Sequence, residues 1–215
     1  MGTTKNIMTV EQACEQLIKS GFIKQHQSVK IAIGNPGAVF AEAFITLGIE
    51  GANFEEKRKK FIPMLGYTQI FDWLSDNQGK GLWIAGDSGT GKTIIATMVI
   101  PVVLKLLHPM LTPTLIRHYQ LNVKETAGQM YKQAIHSRVV IFDDMGRENT
   151  VNDFAGKFEF VPGIVDAMEN QKGMFIFTTN LPEGQLEERY GTPTIDRMKG
   201  ICTKVIIKGK SNRYE

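Results

Sequence analysis

Cysteine is scarce: Cys14 and Cys202 are the two in 215 residues. They fit neither a disulfide framework nor metal-ligand spacing, so covalent staples and a cysteine-based metal centre drop out, and free thiols in a reducing compartment are expected. Long apolar runs are missing as well. The most apolar stretch, Ile94 to Leu107, is interrupted by Pro101 and Lys105, and it falls short of the roughly 20 residues that span a bilayer. Met1 to Gln12 has no apolar core of the kind a signal peptide needs, and Asn6 breaks the myristoylation pattern that Gly2 begins. The expectation is a soluble, cytoplasmic protein with no membrane partner. Nor is charge of one sign in excess: 25 Lys+Arg against 22 Asp+Glu leave +3, which permits a nucleic-acid partner without demanding one. No internal repeat or low-complexity tract organises the chain, and its length suits one α/β domain with a modest extension.

What the chain does have is a motif that fits at every fixed position. Gly86-Asp87-Ser88-Gly89-Thr90-Gly91-Lys92-Thr93 matches G-x-x-x-x-G-K-[ST]. A short apolar run with Trp83 and Ile84 precedes it, and a long apolar stretch follows from Thr93, so strand, glycine loop and helix come in the required order. The glycines let successive backbone N–H groups turn toward a polyphosphate, and the helix N-terminus adds partial positive charge. Lys92 is then expected on the β- and γ-phosphates of ATP, and the Thr93 hydroxyl on Mg²⁺.

Two further apolar strands end in polar groups. Arg138-Val139-Val140-Ile141-Phe142-Asp143-Asp144 describes a buried strand that delivers two carboxylates to its C-terminal edge, where ligands bind in parallel α/β sheets. Asp143 is expected to hold the Mg²⁺, usually through water, and Asp144 to polarise the water that attacks the γ-phosphate. Met174 to Asn180 repeats the pattern, with Asn180 expected to orient that water or touch the γ-phosphate. Thr114 to Tyr119 and Thr203 to Ile207 complete five strand candidates separated by helices, which implies a doubly wound, mostly parallel sheet.

The rest is less informative. Thr9 and Gln12 predict a capped helix ending at Gly21, Val29, Ile31 and Ile33 alternate as a strand would, and Val39 to Leu47 reads as a helix closed by Gly48. Residues 1–52 are therefore expected to be a small, mainly helical partner-binding region, and residues 53–215 the ATPase domain. Glu55 to Lys60 is a charge run ahead of Phe61, Met64, Leu65, Ile70, Phe71 and Leu74 at helical spacing. Phe154 to Met168 is expected to cross over with a break near Pro162-Gly163, its aromatics Phe154, Phe158 and Phe160 packing in core or loop. Basic residues open to DNA phosphates are Lys57 to Lys60, Lys124 and Lys132, and Lys204, Lys208, Lys210 and Arg213.

Together these residues resemble the AAA+ ATPases, in particular the DnaC/IstB-like group of helicase loaders and transposition ATPases, from about Asn53 onward. The phosphate loop is similar to that group's Walker A, Asp143-Asp144-Met145-Gly146-Arg147-Glu148 to its extended Walker B, and Phe177-Thr178-Thr179-Asn180-Leu181 to its sensor 1 strand. Arg189-Tyr190-Gly191 with Ile195-Asp196-Arg197-Met198 resembles its arginine-bearing region, and Gly209-Lys210-Ser211-Asn212-Arg213 its closing segment. The resemblance implies a three-layer α/β/α P-loop NTPase fold with a five-stranded sheet in the order 5-1-4-3-2 and without a full helical lid. It implies an ATP-dependent homo-oligomer in which Arg197 enters a neighbour's site as an arginine finger, with Arg189 the competing position. It also implies single-stranded DNA and a replicative helicase as partners. A transposition ATPase is the alternative within the group, and a nucleotide-gated binding module, in which ATP acts mainly as an assembly ligand and turnover is negligible, the alternative of another functional class.

Overall fold

Alternation within the strands decides which layer each side chain meets. The computed structural model describes residues 9–21, 27–148, 152–153, 156–157 and 160–209. In β1 (Gly81–Gly86), Leu82 and Ile84 face one core cluster and Trp83 the other; in β3 (Val139–Asp143), Val139 and Ile141 oppose Val140 and Phe142. β6 (Met174–Thr179) divides in the same way, Met174 and Ile176 against Phe175 and Phe177. Strands buried on both faces read as continuous apolar runs, and that is how these three appear in the sequence. With β2 (Thr114–Arg117) and β7 (Cys202–Ile207) they form an all-parallel five-stranded sheet in the order β2-β3-β6-β1-β7. Numbered along the chain, this is the expected 5-1-4-3-2.

Helices cover both faces. On the first lie α2 (Pro36–Gly48), α4 (Tyr67–Ser75) and the helix that follows the glycine loop. That helix starts as α5 (Lys92–Ile94), widens into a π turn over Ile95–Val99 and continues as α6 (Ile100–Leu107). The widened turn sits directly before Pro101, whose ring cannot donate the regular i→i−4 bond and crowds the preceding turn. On the second face lie α7 (Lys124–Ile135), α8 (Phe160–Asn170), α9 (Glu183–Tyr190) and α10 (Thr192–Ile201). A two-residue hairpin, β4 (Asn152–Asp153) with β5 (Gly156–Lys157), lies between β3 and α8. No described helix is long and apolar enough to cross a membrane.

Four expectations need correction. α1 (Val10–Lys19) forms with its Thr9–Gln12 reciprocal cap and buries no residue, but residues from Gln27 onward do not stand apart as an arm. Val29, Ile31, Phe40, Ala43 and Phe44 belong to the same cluster as Ile95, Val99 and Leu104, because α2 is apolar enough to need burial and the sheet face is there to receive it. Val29 to Ile33 is extended but forms no strand. Its partners are the Asn77 side chain and two backbone groups: Asn77 Oδ1 accepts from the Ile31 N–H (2.9 Å), Asn77 Nδ2 donates to Val29 O (3.0 Å) and Lys80 O (2.9 Å), the Asn77 N–H donates to Ile31 O (3.2 Å), and the Ile33 N–H donates to Leu74 O (3.1 Å). Asn77 is thus a buried staple. Asn77→Ala is expected to lower unfolding free energy by about 2–4 kcal/mol, since several buried backbone groups lose their partner. Urea denaturation would show it, and a loss below about 0.5 kcal/mol would remove the staple role.

The helical spacing from Phe61 to Leu74 holds only from Tyr67, as α4; α3 (Phe54–Lys59) covers the charge run ahead of it, and residues 60–66, with Phe61, Met64 and Leu65, separate the two. Leu65 bridges Lys208 beside β7, and Gly66, at φ 104°, turns the chain where a Cβ would come within 2.5 Å of Ile206 O. The break expected at Pro162-Gly163 is also absent: α8 runs through it, because Pro162 occupies the first turn, where backbone N–H groups have no helical partner anyway. Phe154 and Phe158, and Lys210 to Arg213 of the closing segment, lie outside the described residues.

Candidate active site

The glycine loop leaves β1 at Gly86 and feeds the helix at Lys92. Gly91 has φ 85°, and a Cβ there would meet Tyr67 Oη at 2.8 Å and Phe44 Cζ at 3.0 Å, so glycine alone lets α2 and α4 press against the loop. The Tyr67 phenol donates to Thr90 O (3.2 Å) from a buried position, and burial pushes it well above the ordinary tyrosine range, so it stays a neutral donor. The Thr90 hydroxyl donates to Asp87 O (2.9 Å) and closes the loop on itself. Lys92 lies inside this frame, 6% exposed, its ammonium donating to Gly86 O (2.9 Å) and Asp87 O (2.6 Å).

Thr93 begins the next layer. Its hydroxyl donates to Asp143 Oδ1 (3.0 Å), which also accepts from the Thr178 hydroxyl (2.7 Å). The same Thr178 oxygen accepts from the Asp144 N–H (2.8 Å), and Thr178 O accepts from the Met145 N–H (2.8 Å). One threonine of β6 therefore holds both acidic positions at the end of β3. Its role was not visible in the sequence, because it follows from the parallel register that sets Phe142 beside Phe177. Asp144 sits at φ 58°, a left-handed conformation that aspartate tolerates better than most residues. The turn aims its carboxylate at Asn180, whose Nδ2 is 3.4 Å from Asp144 Oδ1, while Arg147 Nη1 is 3.3 Å from Oδ2.

Part of this set lines a cavity of about 1020 Å³. One wall is the expected one: Ser88, Gly89, Gly91, Lys92, Thr93, Asp144 and Asn180. The other was not anticipated. Phe44, Gly48, Ile49 and Glu50, in and just after α2, close the cavity from the region assigned to partner binding, together with Lys59, Lys60 and Ile62 at and after the end of α3 (Phe54–Lys59). Arg147 lines it too. The mixed wall of aliphatic side chains, lysines and backbone N–H groups suits a nucleotide, which has an apolar base face and an anionic tail. Thr93 and Asp143 present adjacent hard oxygen donors, the ligand type Mg²⁺ prefers, with substrate phosphates to complete its shell.

The two candidate arginines are employed differently. Arg189 is turned inward: its Nε is 3.2 Å from Glu148 Oε1, its Nη2 donates to Glu148 O, and the neighbouring Tyr190 hydroxyl donates to the same carboxylate. Glu148 is itself buried and accepts from the Gly146 N–H (2.8 Å), so this knot ties α9 to the turn that carries Asp144. Burial, then the Glu148 carboxylate, push the Tyr190 phenol far above its ordinary value, which keeps it protonated. Arg197 lies on α10 away from the cavity, 45% exposed at its side chain, paired with Asp166 and with Glu169 (3.4 Å) of α8.

Of the basic residues considered for DNA, Lys57 and Lys60 donate to Thr46 O (2.9 Å) and Glu50 O (3.0 Å) at the end of α2, and Lys204 pairs with Glu183 over the Trp83 ring. Lys210 and Arg213 are outside the described residues.

Comparison with known proteins bears on the fold. A family model described as RNA helicase matches residues 82–174, from β1 to the start of β6. No curated protein sequence matches the chain. Among solved structures, the DnaC helicase loader superposes over 82% of this chain and 100% of its own, at 16% identity and a TM-score of 0.54. The chain has the α/β P-loop NTPase fold. AMPPCP-bound DnaA from Aquifex aeolicus superposes over 71% of the present chain at 15% identity and a TM-score of 0.50; the match spans half of the DnaA chain.

Proposed function

We propose that this AAA+ protein hydrolyses ATP to control its assembly on single-stranded DNA and the delivery of a replicative helicase. The observation that carries the ATPase reading is that Lys92, Thr93, Asp144 and Asn180 line one cavity, with Asp143 and Thr178 bonded behind Thr93 and Asp144. Lys92 and the loop N–H groups bind the phosphates, and Thr93 with Asp143 would hold Mg²⁺. When bound, the metal would offset negative charge on the β- and γ-phosphates. Asp144 accepts the proton of the attacking water and Asn180 orients it. The loader reading is supported by the likeness in fold to the DnaC helicase loader.

Arg197 is the trans-acting finger in this proposal. Arg189 is committed to Glu148, whereas Arg197 is exposed and held by surface carboxylates, pairs that cost little to exchange. A cation inserted into the neighbour's site stabilises charge on the transferring phosphoryl and makes turnover depend on assembly.

The test is the mass distribution in solution with and without a non-hydrolysable ATP analogue and single-stranded DNA, alongside ATP turnover. Oligomers that form only with nucleotide, and turnover raised by DNA, are expected. Arg197→Ala should keep single-subunit nucleotide affinity and lose the stimulated turnover by roughly 10³-fold. A nucleotide-binding monomer indifferent to DNA would overturn the loader reading, and wild-type turnover in Arg197→Ala would remove it as the finger.

A further inference from the structure

Arg147 stands on the cavity wall with Lys92, Thr93, Asp144 and Asn180, and the reaction as described gives it no task. Its position follows from the turn after β3: Asp144 at φ 58° reverses the chain, and the Arg147 N–H closes the turn on Asp144 O (3.3 Å). That geometry returns the guanidinium to Asp144, with Nη1 3.3 Å from Oδ2, while Asn180 Nδ2 faces Oδ1 at 3.4 Å. Both carboxylate oxygens of the proposed base are thus engaged by donors. The two donors differ in kind. Asn180 is a neutral amide directly after β6, whereas Arg147 is a cation on a long side chain that is 58% exposed beside an Asp144 that is 22% exposed.

Resting on the ATPase reading above, we propose that Arg147 determines specificity for a nucleoside triphosphate over a diphosphate by exchanging Asp144 for the terminal phosphate. An exposed single-carboxylate ion pair contributes little, while a terminal phosphate offers more charge and several acceptor oxygens to a planar guanidinium. The exchange does two things at once: it adds a cation to the triphosphate complex, and it frees one oxygen of Asp144 to accept a proton. With a diphosphate bound there is no γ-phosphate to draw the guanidinium away, and the Arg147–Asp144 pair persists. The device acts within one subunit and is separate from Arg197.

Calorimetric titration of the full chain with Mg²⁺ plus a non-hydrolysable ATP analogue, and separately with ADP, tests this on wild type, Arg147→Ala, Arg147→Lys and Asp144→Asn. Arg147→Ala should weaken the analogue about tenfold and leave ADP within twofold, with Arg147→Lys between it and wild type. Asp144→Asn, which removes the competing carboxylate, should tighten the analogue about threefold and leave ADP unchanged. Wild type that binds both nucleotides, with Arg147→Ala losing neither or losing both alike, would overturn the proposal and leave the ATPase reading intact. Wild type that binds neither would overturn both.

Discussion

Lys92→Ala is expected to weaken ATP binding by roughly 100-fold or more, about 3 kcal/mol. The ammonium lies inside the loop frame, held by the carbonyls of Gly86 and Asp87, and a polyphosphate entering that frame needs the charge in this place. A small apolar side chain leaves the oxygens of the nucleotide without a charged donor in a site that has shed much of its water, where such a loss is costly. Lys92→Ala removes the bonds to Gly86 O and Asp87 O, but Tyr67, Thr90 and Gly91 brace the loop through other contacts. The thermal midpoint without nucleotide should therefore stay close to wild type, which separates lost binding from lost folding. Calorimetry with an ATP analogue would measure the effect, and affinity within threefold of wild type would remove Lys92 from the phosphates.

The second large effect is kinetic. Asp144→Asn should bind the ATP analogue at least as tightly as wild type and turn ATP over roughly 10²–10⁴-fold more slowly, the range that general-base groups supply. The substitution preserves shape, and the contact from the Asp144 N–H to the Thr178 hydroxyl is a backbone one that survives it. An amide, however, cannot take a proton from water. Single-turnover hydrolysis with excess protein isolates the chemical step, and a rate within tenfold of wild type would assign the base elsewhere.

How much of this was legible in the residues can be judged element by element. The phosphate loop needs glycine, lysine and a hydroxyl at fixed offsets, so spacing alone marks it. The central strands were legible because burial on both faces requires uninterrupted apolar runs, and Asp143, Asp144 and Asn180 because they end those runs. α1 was legible from Thr9 and Gln12, whose cap is closed within four residues. Val29 to Ile33 misled, because alternation records burial on one side and says nothing of what meets the backbone. Here the backbone partners are Asn77 and Leu74, distant in the chain.

By itself, then, the sequence determined the five strands of the main sheet, the glycine loop and the identity of the groups that end β3 and β6, since these depend on neighbours a few positions apart. Only the tertiary structure decided what those groups meet. The parallel register of β3 with β6 makes Thr178 the support of both acids, and the burial of α2 against the sheet brings Phe44, Ile49 and Glu50 to the cavity. The inward turn of Arg189 to Glu148 and the return of Arg147 to Asp144 set these two arginines apart from Arg197. The physical reason is one of range: periodicity and turn chemistry act over a few residues, whereas these contacts join separate elements through packing that no local pattern encodes.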